Sequence, residues 1–538
     1  MLSYSRGNDA PLIDATIWEA FKQTASRFPD REALVARHQG ARLTFSGLAA
    51  AVEKAARGLT GLGVGNQDRV GVWSTNCVEW VQMHLACARV GAVLVNVNPA
   101  YRPYDLSFVL RKSKMKALFL WEQDKRSDYR AILEEATAGK SGQFLALEHV
   151  VYFGSDGWER MLARGQDFPE REISAGEVTN IQYTSGTTGS PRGVLLSHRN
   201  VLNNAVVLAQ GMKMTYRDRI VVPVPLYHCF GCVIGTLVSL VSGATMIFPC
   251  ATFDALATLE AIHEERGTAI YGVPTMFIGE LEHPAFPTFD LSSLRTGIMA
   301  GAPCPVEIMN RVVNEMHCEG MMVGYGQTES SPVITLSSVD DSLERRVSTV
   351  GQACANTEVK IVSPAGETVE VGEQGELCTR GYLVMKGYDD EPEATHRAID
   401  EDGWLHTGDL ATMDSDECFR ITGRAKDMII RAGENVYPRE IEEFLHTHPK
   451  VAEVQVVGLP DARLGETVVA WIRLKEPAEE AEIREFCSGR IAHFKVPQYI
   501  RFVDGFPMTV TGKVQKFRIR EIEIQDRGLE GAARIHTA

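Results

Sequence analysis

A stretch rich in hydroxyl groups and glycines follows an apolar run near residue 184. It reads TSGTTG over residues 184–189 and continues to Pro191 and Arg192. Glycines let a backbone approach a ligand closely, and backbone N–H groups and hydroxyls donate to phosphate oxygens. A helix beginning after Pro191 would also direct its N-terminus at phosphates. The order differs from the P-loop pattern, but apolar runs on both sides favour a phosphate-binding loop over a flexible surface loop.

Two later stretches place aromatic, hydroxyl and acidic residues beside turn-forming glycines. In GYGQTES, residues 324–330, Tyr325 can stack on a base, Thr328 can donate to a phosphate oxygen and Glu329 can bind Mg²⁺. In WLHTGDL, residues 404–410, Asp409 directly follows a glycine, where its carboxylate can accept from both hydroxyls of a ribose. Both stretches therefore suit a nucleotide.

Basic residues mark two further stretches. Residues 423–442 hold Arg424, Lys426 and Arg431 near glycines, and residues 507–513 end in Lys513 behind a Thr-Gly turn. Taken singly, each acid or lysine also fits an ordinary solvated surface position. Their joint order and spacing along the chain favour a common nucleotide site instead.

Composition narrows the class of protein. A chain of 538 residues that is 44% hydrophobic predicts more than one domain and a large core. The net charge of −15 argues against a nucleic-acid partner held by a general basic surface. Eleven scattered cysteines fit a reduced, cytoplasmic protein. Residues 229–248 carry no charge, but glycines and serines interrupt them, so we interpret them as a buried helix and strand and not as a transmembrane segment.

The elements that must hold these residues alternate between helices and short apolar strands. Amphipathic patterns predict helices over residues 16–27 and 44–62, the second capped by Thr44 or Ser46. Short apolar runs between helical segments predict buried parallel strands, at residues 69–74, 92–97 and 116–121. Ligand sites in such folds lie where strands end. Short β-like runs follow residue 340, and residues 427–520 predict a small α+β domain.

These stretches together resemble the adenylate-forming superfamily of acyl-CoA synthetases, luciferases and carrier-loading adenylation domains. The chain most resembles the medium-chain branch of the fatty-acyl-CoA ligases, from about residue 15 to 520. The resemblance implies an α/β fold whose large N-terminal domain combines helix-covered sheets with a small β-barrel-like portion. It also implies a small mobile α+β lid that carries the catalytic lysine. The expected boundaries are 1–423 for the large domain, 424–427 for a hinge, 428–524 for the lid and 525–538 for a loose tail.

The resemblance also implies roles for matched residues in the nucleotide site. The ATP phosphates would be held by Thr184, Ser185, Gly186, Thr187, Thr188 and Gly189. The adenine would be framed by Gly301, Ala302, Pro303, Tyr325 and Gly326. Thr328 would meet the α-phosphate, Glu329 and Thr188 would bind Mg²⁺, and Asp409 would bind the ribose. Arg424 would lie near the ribose and phosphate, and Lys513 would bridge the substrate carboxylate and the α-phosphate.

Further roles concern the acyl group, CoA and the hinge. His228 would lie beside the acyl and thiol path, and the acyl pocket would be lined by His228, Phe230, Gly231, Gly235 and Met299. CoA would meet Gly433, Glu434 and Asn435, and Lys426 would be the hinge. The chain departs from the family pattern at Arg192, where lysine is commonest, and at Ala432, which replaces a glycine.

The implied activity is an ATP-dependent ligation of a medium- or long-chain fatty acid to CoA through acyl-AMP, with Mg²⁺ as metal. Two enzyme alternatives stay open, an aryl-acid CoA ligase and a ligase that loads a carrier protein. An alternative of another class is a degenerate AMP-binding regulator, which would predict loss of Lys513 or Glu329, and both are present. A homodimer is possible under each hypothesis.

Overall fold

The computed structural model describes most of the chain and divides it into two compact units. The described residues are 1–139, 144–164, 171–184, 191–302, 304–424, 427–431, 434–461, 464–488, 490–509 and 513–529. The larger unit contains residues 5–359 and 379–406. The smaller unit contains residues 1–4, 360–378 and 407–538.

The elements have the following bounds. The strands are β1 (Tyr4–Arg6), β2 (Glu32–Ala36), β3 (Ala41–Thr44), β4 (Arg69–Trp73), β5 (Val93–Val97), β6 (Ala117–Leu120), β7 (His149–Tyr152), β8 (Val178–Thr184), β9 (Arg192–Ser197), β10 (Arg219–Val221), β11 (Thr245–Phe248), β12 (Ala269–Gly272), β13 (Thr296–Ala300), β14 (Gly320–Gly326), β15 (Val333–Leu336), β16 (Gln352–Ala353), β17 (Thr357–Val362), β18 (Gly375–Gly381), β19 (Gly387–Tyr388), β20 (Leu405–Met413), β21 (Phe419–Arg424), β22 (Ile429–Arg431), β23 (Glu434–Val436), β24 (Val451–Asp461), β25 (Gly465–Leu474) and β26 (Tyr499–Phe502). The helices are α1 (Ile17–Arg27), α2 (Phe45–Gly61), α3 (Val78–Val90), α4 (Pro103–Ser113), α5 (Tyr129–Thr137), α6 (Asp156–Ala163), α7 (His198–Gly211), α8 (Val238–Ser242), α9 (Ala255–Glu265), α10 (Pro274–Leu281), α11 (Val306–Glu315), α12 (Leu343–Ser348), α13 (Pro392–Ala398), α14 (Pro438–His446), α15 (Glu480–Cys487) and α16 (Lys516–Asp526).

Two large sheets form the larger unit. One has seven strands in the order β19-β9-β8-β5-β4-β6-β7, and the other has nine in the order β16-β15-β14-β13-β12-β10-β11-β2-β3. In the seven-stranded sheet, the neighbouring strands of the series β8-β5-β4-β6-β7 are parallel. Strand β9 pairs antiparallel with both β8 and β19. The apolar runs predicted as strands are confirmed as β4, β5 and β6, and every residue of β5 is buried. The predicted α/β class is therefore confirmed.

Local signals place the helices as predicted. Thr16 caps α1, and its hydroxyl accepts from the N–H of Glu19 while the Glu19 carboxylate accepts from the N–H of Thr16. Thr44, and not Ser46, caps α2 by accepting from the N–H of Gly47. The uncharged run forms a π-helix over Phe230–Leu237, then α8 and the buried strand β11. Among the residues that the structure describes, no helix is long and apolar enough to cross a membrane.

One predicted element is wrong. No helix follows Pro191, because residues Arg192–Ser197 form β9, which pairs antiparallel with β8. Val194 and Leu196 are buried in this pairing, so the apolar run serves a sheet. The helix α7 begins only at His198, capped by the Ser197 hydroxyl.

Two further sheets contain residues of the smaller unit. One has five strands in the order β1-β17-β18-β20-β21, and β20 pairs antiparallel with β21. A second sheet is ordered β23-β22-β25-β24, with β26 parallel to β25. Residues of β22, β24, β25, α14 and α15 share one apolar core. The helix α16 continues to Asp526, and residues 530–538 of the expected tail lie outside the described residues.

Two buried histidines are expected to weaken the larger unit in acid. Burial lowers the pKa of His84 to about 3 and that of His198 to about 4, from an ordinary value near 6.5. As the pH falls, these histidines take up protons in the unfolded chain before they do so in the folded chain. Their contribution to the free energy of unfolding is therefore fully present above pH 6.5 and is lost below it. Each histidine should lower the free energy of unfolding by about 2 kcal/mol between pH 7 and pH 5. Urea unfolding at both pH values should show a smaller loss in His84→Leu, and an unchanged loss would contradict this prediction.

Candidate active site

The hydroxyl-rich stretch connects two paired strands of the larger unit. The Cα of Thr184, the last residue of β8, is paired with that of Arg192, the first residue of β9. The end of β8 and the start of β9 therefore lie side by side in the sheet. Arg192 Nε lies 3.3 Å from a carboxylate oxygen of Glu391. The predicted phosphate residues 185–189 lie outside the described residues.

A second group lies at the carboxyl ends of β13 and β14. These strands are parallel, and the Cα of Ala300 is paired with that of Gly324. Gly301, which follows β13, and Tyr325, in β14, are therefore neighbours. Gly301 has φ +85° and Ala302 is exposed. The predicted adenine residues are thus brought together, apart from Pro303, which lies outside the described residues.

Gly326 needs to be a glycine for packing. A Cβ atom there would lie 1.9 Å from the carbonyl oxygen of Pro332. The backbone of Gly326 therefore lies against that of Pro332, and the short helical turn of residues 328–330 follows. Thr328 is buried and Glu329 is half-buried. The phenol of Tyr388 donates to Glu329 Oε1 over 3.0 Å.

His228 lies in the loop that leads into the π-helix. Its Nδ1 accepts from the backbone N–H of Phe230 over 3.1 Å, which places the proton of a neutral ring on Nε2. The neighbouring Cys229 Sγ lies 3.7 Å from the Thr328 hydroxyl. The predicted acyl-path histidine and the predicted α-phosphate threonine are therefore held close together.

A buried amide network under this loop was missed by the sequence analysis. Gln182 Nε2 donates to Asn180 Oδ1 over 2.7 Å and to Cys232 Sγ over 3.3 Å. Asn180 Nδ2 donates to Asn96 Oδ1 over 2.9 Å, and Asn96 Nδ2 donates to the Tyr227 carbonyl over 3.0 Å. The network therefore ties β5 and β8 to the residue before His228. Its signal was the amides within otherwise apolar strands.

The predicted acyl-pocket residues differ in what they contribute. A Cβ on Gly231 would lie 2.2 Å from the Pro225 carbonyl oxygen, and one on Gly235 would lie 2.7 Å from Val222. These glycines therefore permit close packing of the π-helix, and protein atoms fill the space beside them. Phe230 is buried, with its ring centroid 6.2 Å from that of Tyr271. Met299 is buried in the core cluster of the nine-stranded sheet.

The remaining predicted residues belong to the smaller unit. Asp409 is buried, and its Oδ1 lies 2.9 Å from Arg424 Nε across the β20–β21 pair. The backbone N–H of Lys513 donates to the Thr509 hydroxyl over 3.0 Å, and Thr509 N–H donates to the Lys513 carbonyl over 2.7 Å. Lys426 and Gly433 lie outside the described residues, and Glu434 and Asn435 lie in β23.

Comparison with known proteins identifies the family. A model of the AMP-binding enzyme matches residues 21–389, and a model of the AMP-binding enzyme C-terminal domain matches residues 440–513. The chain belongs to the AMP-binding enzyme family. YngI of Bacillus subtilis (strain 168), provisionally named an acyl-CoA synthetase, is 46% identical over 96% of this chain and 98% of its own. The mitochondrial medium-chain acyl-CoA ligase ACSF2 of Homo sapiens is 43% identical over 97% of this chain and 89% of its own.

Solved structures of this AMP-binding family agree with the fold. The anthranilate CoA ligase AuaEII, in complex with anthranoyl-AMP, has a TM-score of 0.86 at 25% identity and covers 95% of this chain and 98% of its own. A fatty acyl CoA synthetase of Mycobacterium tuberculosis has a TM-score of 0.76 at 30% identity and covers 94% of this chain and 98% of its own. The predicted resemblance to adenylate-forming acyl-CoA synthetases is confirmed.

Proposed function

We propose that this chain is an AMP-forming acid–CoA ligase that activates a medium- or long-chain fatty acid. The observation that carries the proposal is its 43–46% identity to acyl-CoA synthetases, including a medium-chain ligase, over nearly the full chain. The presence of Glu329, Asp409 and Lys513 supports an active enzyme, since a degenerate regulator would not require them.

The first half-reaction joins the fatty acid to AMP. A carboxylate oxygen attacks the α-phosphorus of ATP, the bond to the β-phosphate oxygen breaks, and pyrophosphate leaves with the electron pair. The acid is already ionised, so no general base is needed. Two anions approach each other, and donors aimed at the α-phosphate stabilise the charge that develops. Thr328 and Lys513 would supply those donors, while Asp409 would hold the ribose and Tyr325 the adenine.

Glu329 is the described residue that would hold Mg²⁺, with Thr188 as its predicted companion. The fit is chemical, because Mg²⁺ prefers carboxylate and hydroxyl oxygens and Glu329 is a half-buried carboxylate whose orientation a phenol sets. When bound, Mg²⁺ would neutralise phosphate charge and so favour both the attack and the departure of pyrophosphate.

The second half-reaction transfers the acyl group to sulfur. The CoA thiolate attacks the acyl carbon of acyl-AMP, the thioester forms, and AMP leaves through its phosphate oxygen. We place CoA at residues 433–435 and the path of the acyl group beside His228. A hinge at residues 424–427, between domains 1–423 and 428–524, would let Lys513 leave the site between the two steps.

A pyrophosphate-release screen tests the function. Purified protein with ATP and Mg²⁺ would be given straight-chain acids from short to long and benzoate-type acids, each with and without CoA. We expect a CoA-dependent optimum among the medium or long straight chains. Release only with aromatic acids would overturn the substrate class, and no release with any acid would favour a regulator that binds AMP.

A further inference from the structure

Tyr388 contacts both the carboxylate of Glu329 and the guanidinium of Arg192. Its phenol donates to Glu329 Oε1 over 3.0 Å. The guanidinium carbon of Arg192 lies 5.4 Å from the centroid of its ring. In the sheet the Cα of Tyr388 is paired with that of Val194, two residues after Arg192. All of these residues belong to the larger unit.

The segment that carries Tyr388 is tied down on several sides. Tyr388 N–H donates to the Thr395 hydroxyl over 2.8 Å. The next residue, Asp389, is buried and accepts from both terminal nitrogens of Arg69, over 2.9 and 2.7 Å. Glu391 accepts ion pairs from Lys112 over 3.1 Å and from Arg192 over 3.3 Å. The ring is therefore held in a fixed place by backbone and ion-pair contacts.

The backbone of Glu329 is tied to the same segment of chain. Its carbonyl oxygen accepts from the N–H of Met385 over 2.9 Å, three residues before Tyr388. Glu329 thus has its main chain and one carboxylate oxygen fixed by residues 385 and 388. The other carboxylate oxygen is then presented in one direction, as a single-oxygen ligand to a metal requires.

A phenol is chemically suited to this position. A tyrosine hydroxyl is protonated at neutral pH, so it can donate to the Glu329 carboxylate. A neutral donor orients the carboxylate without cancelling its charge, whereas a lysine or arginine would compete with a cation for it. The negative face of the ring meanwhile attracts the Arg192 guanidinium.

We propose that Tyr388 is a positioning residue that orients Glu329 toward Mg²⁺ through its hydroxyl and holds Arg192, the first residue of β9, through its ring. The proposal rests on the proposed function for the identity of the metal and the nucleotide. Neither Tyr388 nor its segment entered the predicted site. Loss of the hydroxyl should weaken the binding of the metal and leave the binding of the fatty acid unchanged.

The test uses Tyr388→Phe, which keeps the ring and removes the hydroxyl. Binding of Mn²⁺ would be titrated by electron paramagnetic resonance in the presence of α,β-methylene-ATP, with the full chain. We expect the dissociation constant of the metal to rise about 10-fold, and the KM for the fatty acid to stay within twofold. Tyr152→Phe is the matched control, because the Tyr152 ring also lies 4.4 Å from an arginine, Arg130, but in β7.

Two outcomes would overturn the proposal. An unchanged metal dissociation constant in Tyr388→Phe would remove the orienting role, and an equal rise in Tyr152→Phe would show a general effect of losing a phenol. Arg192→Lys tests the ring separately, since it keeps the charge and loses the flat guanidinium. We expect a several-fold higher KM for ATP in Arg192→Lys and an unchanged dissociation constant for the metal. A wild-type KM for ATP would overturn the proposed role of the Tyr388 ring.

Failure of the proposed function would look different. If the wild-type chain released no pyrophosphate with any acid, the ligase assignment would fall. The metal titration does not depend on turnover, so a 10-fold difference between wild type and Tyr388→Phe would still support the positioning role.

Discussion

Lys513→Ala is expected to slow acyl-adenylate formation by about 10³-fold while thioester formation from supplied acyl-adenylate stays within a few-fold of wild type. The ammonium would neutralise charge on the α-phosphate as the carboxylate attacks, and no other step of the proposed mechanism uses it. Pyrophosphate release would measure the first half-reaction. Thioester formation from synthetic acyl-AMP and CoA would measure the second.

The described hydrogen bonds between Lys513 and Thr509 use backbone atoms of the lysine. The Lys513 N–H donates to the Thr509 hydroxyl, and the Lys513 carbonyl accepts from the Thr509 N–H. Truncation of the side chain therefore leaves these bonds in place. Lys475→Ala, after the end of β25 in the same unit, is the control, and should retain both half-reactions. An equal loss of both half-reactions in Lys513→Ala would contradict the assigned role.

The sequence predicted the elements well where their signals are local. The amphipathic pattern of α1 and the apolar run of β5 depend on neighbours within a few residues, and both elements were located correctly. The segment after Pro191 failed because its conformation is decided by pairing with β8, which periodicity in a short apolar run does not reveal. Thr44 was separable from Ser46 only by its bond to the N–H of Gly47.

The same reason explains which parts of the site were found. Motif residues such as Tyr325 and Thr328 lie within one short stretch, so their grouping is visible in the chain itself. Tyr388 contacts Glu329 across 59 positions, and Asn96 contacts Asn180 across 84. Such contacts follow from strand order in the sheet. The amides of Asn96 and Asn180 within apolar strands indicate buried polar contacts but not their partners, and no sequence pattern indicates the partner of Tyr388.

Glu329→Gln is expected to lower kcat/KM for pyrophosphate release at least 100-fold, because the amide keeps the shape of the side chain and loses the charge that Mg²⁺ needs. The amide oxygen can still accept from the Tyr388 phenol, so the fold should persist. Raising Mg²⁺ should recover part of the activity. Glu344→Gln, an exposed glutamate in the same unit, serves as control. Activity within threefold of wild type would contradict the role of Glu329.

Combining this variant with Tyr388→Phe tests whether the tyrosine acts through the carboxylate. If Tyr388 affects the metal only by orienting Glu329, its hydroxyl has nothing left to orient once the charge is gone. The double variant should then bind Mn²⁺ no more weakly than Glu329→Gln alone, and the two effects should not add. Full additivity of the two losses would mean that Tyr388 acts by another route, with its contact to Arg192 as the remaining candidate.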